Sequence, residues 1–380
     1  MNSKIKNIIQ VALIGSFVLV LSLWSWIKPG PAYSERERRP LQEFPKLSIE
    51  TLKKGDKEGG FMADFQTYST ERFPMRDTFM SLKSMSDYYF FKRLDSNGYF
   101  LVDGNVGQIL HPMDEKSFEW AVNRFQLLYD LCIKDKTDNV FVSVIPDKNA
   151  FIVDEYGYIG LDYEKCYNFI KDNMPFAEYV DISKLLSLED YYKTDTHWRQ
   201  EQIRDVAQLL ASSMGVDVSD DYKVNELDVL YGGTFYDKSP IPVEKDKLYY
   251  LTNDVLDSCI VKYYDEMGKL TETTIYDLNK AHEKDPYELF LGGFNQSVLF
   301  IENPNASTDK ELVVFRDSFG SSLVPLLASG YKHITVIDIR YIESQKIALF
   351  NKTGLIEPFD NKDVLFIYST LVLNQSSQLK

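Results

Sequence analysis

Three polar residues have the types and neighbours that acyl-transfer chemistry needs. Ser318 follows the apolar run Leu312-Val313-Val314-Phe315, which reads as a short buried strand, and precedes a helix over Ser321 to Ala328. Such a junction carries a serine to the edge of a sheet. It also offers the unpaired N–H groups of a helix start to a developing oxyanion. Asp-Ser ahead of a helix is also an ordinary N-cap, so a nucleophile here requires a base and an acid from elsewhere. The chain has four histidines, His111, His197, His282 and His333. His197 lies in Lys193-Thr194-Asp195-Thr196-His197-Trp198. A carboxylate two residues from an imidazole can fix its tautomer and stabilise the imidazolium, leaving the second ring nitrogen to activate a hydroxyl. A structural histidine bonded to its neighbour has the same local sequence. One histidine with scattered acids does not make a metal-ligand set. The other three histidines are assigned to surface or core.

The elements that must position these residues alternate along the chain. Strands are expected at Asn139 to Ile145, Ala177 to Ile182, Ser297 to Glu302, Leu312 to Phe315, His333 to Ile339 and Val364 to Tyr368. Helical spacing runs through Phe118 to Ile133, Tyr163 to Asn173 and Arg199 to Met214. This alternation predicts an α/β fold with a doubly wound, mostly parallel sheet. Residues 220–290 differ, with short strands and Gly and Pro turns, and are read as a β-rich insertion or lid on that sheet. A hairpin is expected from Tyr99 to Leu110.

Composition narrows the function classes. The chain has 380 residues, 44% hydrophobic and 26% charged, as globular proteins do. A net charge of −15 argues against nucleic acid as a partner, because phosphates would be repelled. The aromatic share of 14% suits either carbohydrate contact or an aromatic-rich core. Cys132, Cys166 and Cys259 are odd in number, lack metal-ligand spacing and read as small buried residues.

The N-terminus bears on location. Ile8 to Ile27 is uncharged and about as long as a bilayer-spanning helix needs to be. Lys4 and Lys6 precede it, which puts the N-terminus in the cytoplasm by the positive-inside rule. Trp24 and Trp26 stand where an interfacial aromatic belt belongs. A cleaved signal peptide is the alternative, but no small-x-small site or lipobox cysteine follows. The expected organisation is a cytoplasmic N-terminus and single-pass anchor over 1–28, a helical stalk over 29–95, and an extracytoplasmic catalytic domain over 96–380.

Taken together, Thr194-Asp195-Thr196-His197-Trp198, the turn Arg316-Asp317-Ser318-Phe319 and the stretch Ile337-Asp338-Ile339-Arg340-Tyr341 resemble the DHHW proteins. These are relatives of the alginate O-acetyltransferases of the AlgX/AlgJ type, with an SGNH-hydrolase-like fold. Further matches are Ser34-Glu35-Arg36 through Leu41, Arg72-Phe73-Pro74-Met75-Arg76-Asp77, Gly232-Gly233-Thr234-Phe235-Tyr236 and Leu291-Gly292-Gly293-Phe294-Asn295, so the resemblance covers most of residues 33–370. It implies Asp195, His197 and Ser318 as acid, base and nucleophile. Thr196 stands where the family name has its first histidine, and the histidine carried over is the second. Arg316 stands where SGNH enzymes often have a glycine that serves the oxyanion. The substitutes are the Ser318 N–H and its neighbours, or the side chain of Asn295, whose alternative role is that of a turn asparagine. Asp317 either caps the following helix or orients a hydroxyl. Arg340, beside Tyr341, either holds a substrate carboxylate or pairs with Asp338. Lys148 either lines the cleft or is a solvated loop lysine.

The activity so implied is a membrane-anchored, serine-dependent O-acetyltransferase acting on a polysaccharide. It uses no metal or organic cofactor. A multi-spanning membrane O-acyltransferase is the expected donor of the acetyl group. A carbohydrate acetyl esterase shares the same first half-reaction. A non-catalytic polysaccharide-binding or scaffold component of a synthesis complex is the alternative of another class.

Overall fold

Runs of β-branched and aromatic residues form the centre of an eight-stranded sheet in the computed structural model. It describes residues 3–28, 30–34, 39–91, 98–239, 242–265, 268–293 and 297–380. The strands are β1 (Tyr33–Ser34), β2 (Arg39–Pro40), β3 (Tyr99–Val102), β4 (Asn105–Gln108), β5 (Val140–Ile145), β6 (Glu178–Tyr179), β7 (Lys223–Tyr231), β8 (Asp246–Thr252), β9 (Ile260–Tyr264), β10 (Leu270–Thr273), β11 (Val298–Glu302), β12 (Glu311–Arg316), β13 (His333–Ile337) and β14 (Asp363–Ser369). The chain divides into one unit of Met1–Tyr99 with Asp237–Pro242, and a second of Phe100–Tyr236 with Val243–Lys380.

In the first unit, a helix spans Ser3–Ile27, and its Lys4–Ser25 portion is long and apolar enough to cross a membrane. Shorter helices follow at Ile49–Lys54, Phe61–Glu71 and Arg76–Tyr89, the last two flanking Pro74. Arg72 joins the pieces. Its guanidinium donates to the carbonyls of Gly30 and Gln42, each at 3.1 Å, and its own carbonyl accepts the Gly30 N–H at 2.7 Å.

In the second unit, the sheet order is β10-β9-β11-β13-β12-β14-β5-β6. From β13 to β6 every pairing is parallel, with Phe315 of β12 between Ile337 of β13 and Phe366 of β14. Alternate residues of β12 face opposite cores, Leu312 and Val314 on one side and Val313 and Phe315 on the other. That two-sided burial explains why the strand reads as a continuous apolar run rather than an alternating one. Helices Arg204–Ser213 and Gly320–Leu327 supply one core, and Glu115–Leu128, Tyr163–Asn173 and Ser344–Thr353 the other.

The sheet is mixed. Its four pairings from β13 to β6 are parallel, and the three made by β10, β9 and β11 are antiparallel, so parallel pairing predominates but does not extend over the whole sheet. Only five residues separate β9 from β10, too few for the crossover that a parallel pair needs, so the two pair antiparallel. Residues 220–290 therefore are not one insertion. Only the β7–β8 hairpin stands apart, while β9 and β10 widen the sheet. The helix expected from Arg199 is also broken. Gln200–Gln202 forms a 3₁₀ turn, and the α-helix begins at Arg204. The buried Gln200 amide accounts for the break, donating to the Ser322 carbonyl at 2.9 Å and accepting the Leu251 N–H at 2.8 Å.

Candidate active site

β12 ends at Arg316, and the chain turns through Asp317 and Ser318 into the helix Gly320–Leu327. The ends of parallel strands open together on this rim, where α/β sheets hold their sites. Asp317 builds the turn. One carboxylate oxygen accepts the Phe319 N–H at 3.0 Å, and the other accepts the Ser369 N–H at 2.7 Å and its hydroxyl at 2.6 Å. It therefore shapes the turn ahead of the helix, orients the Ser369 hydroxyl and ties the turn to β14. Gly320 lets the helix start against the strand it left, since a Cβ there would lie 2.6 Å from Cβ of Arg316.

The segment carrying Asp195 and His197 is a closed loop. Tyr191 and Trp198 form an antiparallel bridge across its neck, and the Tyr192 N–H donates to the His197 carbonyl at 3.1 Å. Asp246, at the start of β8, accepts the N–H groups of Lys193 and Thr194 at 2.9 and 2.8 Å and the Thr194 hydroxyl at 2.5 Å. From inside, the Lys148 ammonium donates to the carbonyls of Tyr192 and Lys193 at 3.1 and 2.9 Å.

The three side chains singled out by sequence meet. His197 Nε2 is 2.8 Å from Ser318 Oγ, and His197 Nδ1 is 2.5 Å from Asp195 Oδ1. Asp195 is fully buried, His197 is 7% exposed and Ser318 is half-buried. Asp195 also accepts the His197 N–H at 2.8 Å and, through its other oxygen, the Thr234 N–H at 2.5 Å. Burial alone would raise the Asp195 carboxyl, but the His197 imidazole and these N–H donors outweigh it and hold the group well below the usual carboxylate range. Nδ1 thus faces an anionic acceptor, which leaves Nε2 to take a proton from Ser318. The Ser318 N–H finds no acceptor among the described residues, so it is available to an acyl oxygen.

The remaining candidates lie elsewhere. Asn295 falls outside the described residues. Arg316 is fully buried, its guanidinium 3.4 Å from Asp338 and 3.3 Å from the Asp317 carbonyl. Arg340 also binds Asp338, at 2.6 and 2.9 Å, and its guanidinium lies over the half-exposed Tyr341 ring. The pairing with Asp338 is therefore the one realised. Lys148 neither lines the cleft nor meets solvent. It is 1% exposed, under the Phe235 ring, and burial pushes its ammonium down to about 7 against the pull of Asp195, Asp246 and Asp147.

Sequence reasoning missed the groups that hold the three together. Trp198 Nε1 lies 3.0 Å from both the Phe319 carbonyl and the Ser322 hydroxyl, stapling the histidine segment to the serine segment. Gly233 closes over Asp195, where any Cβ would fall 2.2 Å from the Asp195 Cβ. Tyr287 lies face to face with the His197 ring, with centroids 4.1 Å apart and planes 14° apart. Trp198 and the Gly232-Gly233 pair were visible within motifs, but without these roles. A glycine pair does not say what approaches it, and a tyrosine 90 positions from its histidine gives no local signal.

No protein-family model matches the chain, and no curated protein matches it in sequence. Solved structures do. A DHHW family protein from Eubacterium siraeum is 22% identical over 74% of this chain and 93% of its own, with a TM-score of 0.55. PatB1 from Bacillus cereus, solved with a sulfonyl adduct, is 18% identical over 72% of this chain and 95% of its own, at 0.58. The O-acetyltransferase domain of AlgJ from Pseudomonas putida aligns over 73% of this chain at 12% identity with a TM-score of 0.42, too low to carry weight. This chain therefore shares its fold with a DHHW family protein and with PatB1.

Proposed function

We propose that this protein is a serine-dependent O-acetyltransferase with an SGNH-hydrolase-like site, acting outside the cytoplasmic membrane on a polysaccharide hydroxyl. The observation that carries the reading is the continuous hydrogen-bonded chain from Ser318 Oγ through His197 to the ionised Asp195. Ser318 Oγ attacks the carbonyl carbon of a donor acetyl ester while its proton passes to His197 Nε2. The tetrahedral adduct collapses, the ester C–O bond breaks, and His197 returns the proton to the departing donor oxygen. A sugar hydroxyl then gives its proton to Nε2 and attacks the acetyl-serine, and Ser318 leaves with that proton. The Ser318 N–H serves in this reading as a donor to the oxyanion of both adducts.

The choice of acetyl group and polysaccharide rests on the motif resemblance. The same holds for a multi-spanning membrane O-acyltransferase as donor. A sulfonyl adduct on PatB1, which shares the fold, fits an activated nucleophile in such a site. An esterase would use the same first step. A purely binding role leaves the aligned imidazole without purpose.

The test is incubation of the full chain with an activated acetyl ester, with and without oligosaccharide. Acetylated oligosaccharide is expected, lost by about 10³-fold or more in Ser318→Ala. Acetate release indifferent to added sugar would instead make the protein an esterase. Polymer binding with no ester cleavage by the native chain would make it a binder.

A further inference from the structure

Tyr287 makes the closest aromatic contact to the reacting histidine. Its ring lies parallel to the imidazole, 4.1 Å between centroids. Such a contact can be incidental packing, but this ring is tethered. Tyr287 is 2% exposed, and its hydroxyl is 2.9 Å from the Ser322 hydroxyl. Ser322 sits on the helix that follows Ser318 and receives the Trp198 indole N–H at 3.0 Å. The short 3₁₀ turn Pro286–Leu289 that presents Tyr287 is capped by Asp285, which accepts the Tyr287 N–H at 3.1 Å. The ring is thus held at both ends, and one face is pressed on His197. Phe319 takes a tilted position against the same imidazole, at 4.9 Å.

We infer that Tyr287 is a positioning residue for the transfer reaction, fixing the plane of the His197 imidazole and stabilising that ring while it carries the serine proton. The inference rests on the catalytic reading of His197 given above. The physical basis is the negative face of an aromatic ring, which attracts a cation stacked on it and does so more strongly where water is excluded. The imidazole is neutral before attack and positive once the Ser318 proton arrives. A stacked ring therefore favours the later state over the earlier one, which is the condition for accelerating the step. Asp195 and Ser318 contact the imidazole directly; Lys148 and Tyr231 act on Asp195, Asp246 acts on Lys148, and Asp317 and Arg316 act on Tyr287 itself. Tyr287→Phe and Tyr287→Leu both lack the hydroxyl bonded to Ser322, so the difference between them isolates the contribution of the ring.

The experiment compares the native full chain with Tyr287→Phe and Tyr287→Leu. The rate of Ser318 modification by a sulfonyl fluoride is followed by mass across a pH series. Tyr287→Phe keeps the ring and is expected to stay within roughly threefold of the native rate, with its acid limb unmoved. Tyr287→Leu is expected to slow modification by about 10-fold or more, and to shift the acid limb about half a pH unit or more toward lower pH. A merely structural role would lower the rate without moving the limb, and that result overturns the inference. If the native chain resists the reagent altogether, the catalytic reading fails by itself. The stack is then decided by NMR titration of the four labelled imidazoles, with His197 assigned by His197→Asn. The inference stands if the His197 signal titrates at lower pH in Tyr287→Leu than in Tyr287→Phe, and falls if the two coincide. The other three histidines report whether each variant is folded.

Discussion

Lys148 shows how a single buried residue can brace the segment that carries Asp195 and His197. Its ammonium satisfies two loop carbonyls just ahead of Asp195, and burial pushes it down to about 7. In the unfolded chain the same group titrates near its ordinary value of about 10.4. Between about pH 7 and 10 the unfolded state therefore binds more protons than the folded one, and stability rises with pH across that window. The burial cost is fully present below pH 7 and relieved above 10. In Lys148→Met that rise, on the order of a few kcal/mol, is expected to disappear. Denaturant midpoints measured from pH 6 to 10 check this, and an unchanged slope in the variant would assign the rise to another group. Asp195 is the opposite case, since its partners keep it ionised through the working range despite complete burial.

At the scale of elements, the site is a junction of two segments, each braced separately and then joined. Asp317 ties the serine turn to β14, and Asp246 of β8 ties the histidine loop to the β7–β8 hairpin. The hairpin is thus a support for the acid and base, and the lid reading of residues 220–290 misses that role. Trp198 is the joint between the two halves. Trp198→Phe keeps the apolar body and removes the N–H that reaches Phe319 and Ser322. A misplacement of about 1 Å between nucleophile and base costs up to about 10²-fold. The variant should therefore lose between about 10- and 100-fold in acetyl transfer while its melting temperature falls by only a few degrees. A native rate in a folded Trp198→Phe would show that the staple is dispensable.

At the scale of the whole molecule, the chain combines an α/β unit with an N-terminal unit bearing an apolar helix. The Lys4–Ser25 stretch passes the length and polarity requirement for crossing a bilayer, which an uncleaved anchor and a signal sequence both meet. An uncleaved anchor predicts that the protein stays with membranes after an alkaline carbonate wash and retains its N-terminal residues by mass. A soluble product beginning after about residue 27 would assign the helix to export instead. A net charge of −15 disfavours a broad electrostatic hold on an anionic polymer.

The sequence by itself determined the strands that build the sheet centre, because two-sided burial demands unbroken apolar runs such as Leu312 to Phe315 and Val364 to Tyr368. It also determined Asp195, His197 and Ser318 as candidates, because short motifs carry residue type and local spacing. Only the tertiary structure decided which way β9 and β10 run, since pairing direction follows from turn length and neighbours rather than from composition. It alone decided that Arg316 and Arg340 share Asp338, and that Lys148 is buried behind the loop it supports. It also brought Tyr287, Gly233 and Trp198 to the site. Those residues act through contacts between segments that lie tens to more than a hundred positions apart, and no local pattern encodes such contacts.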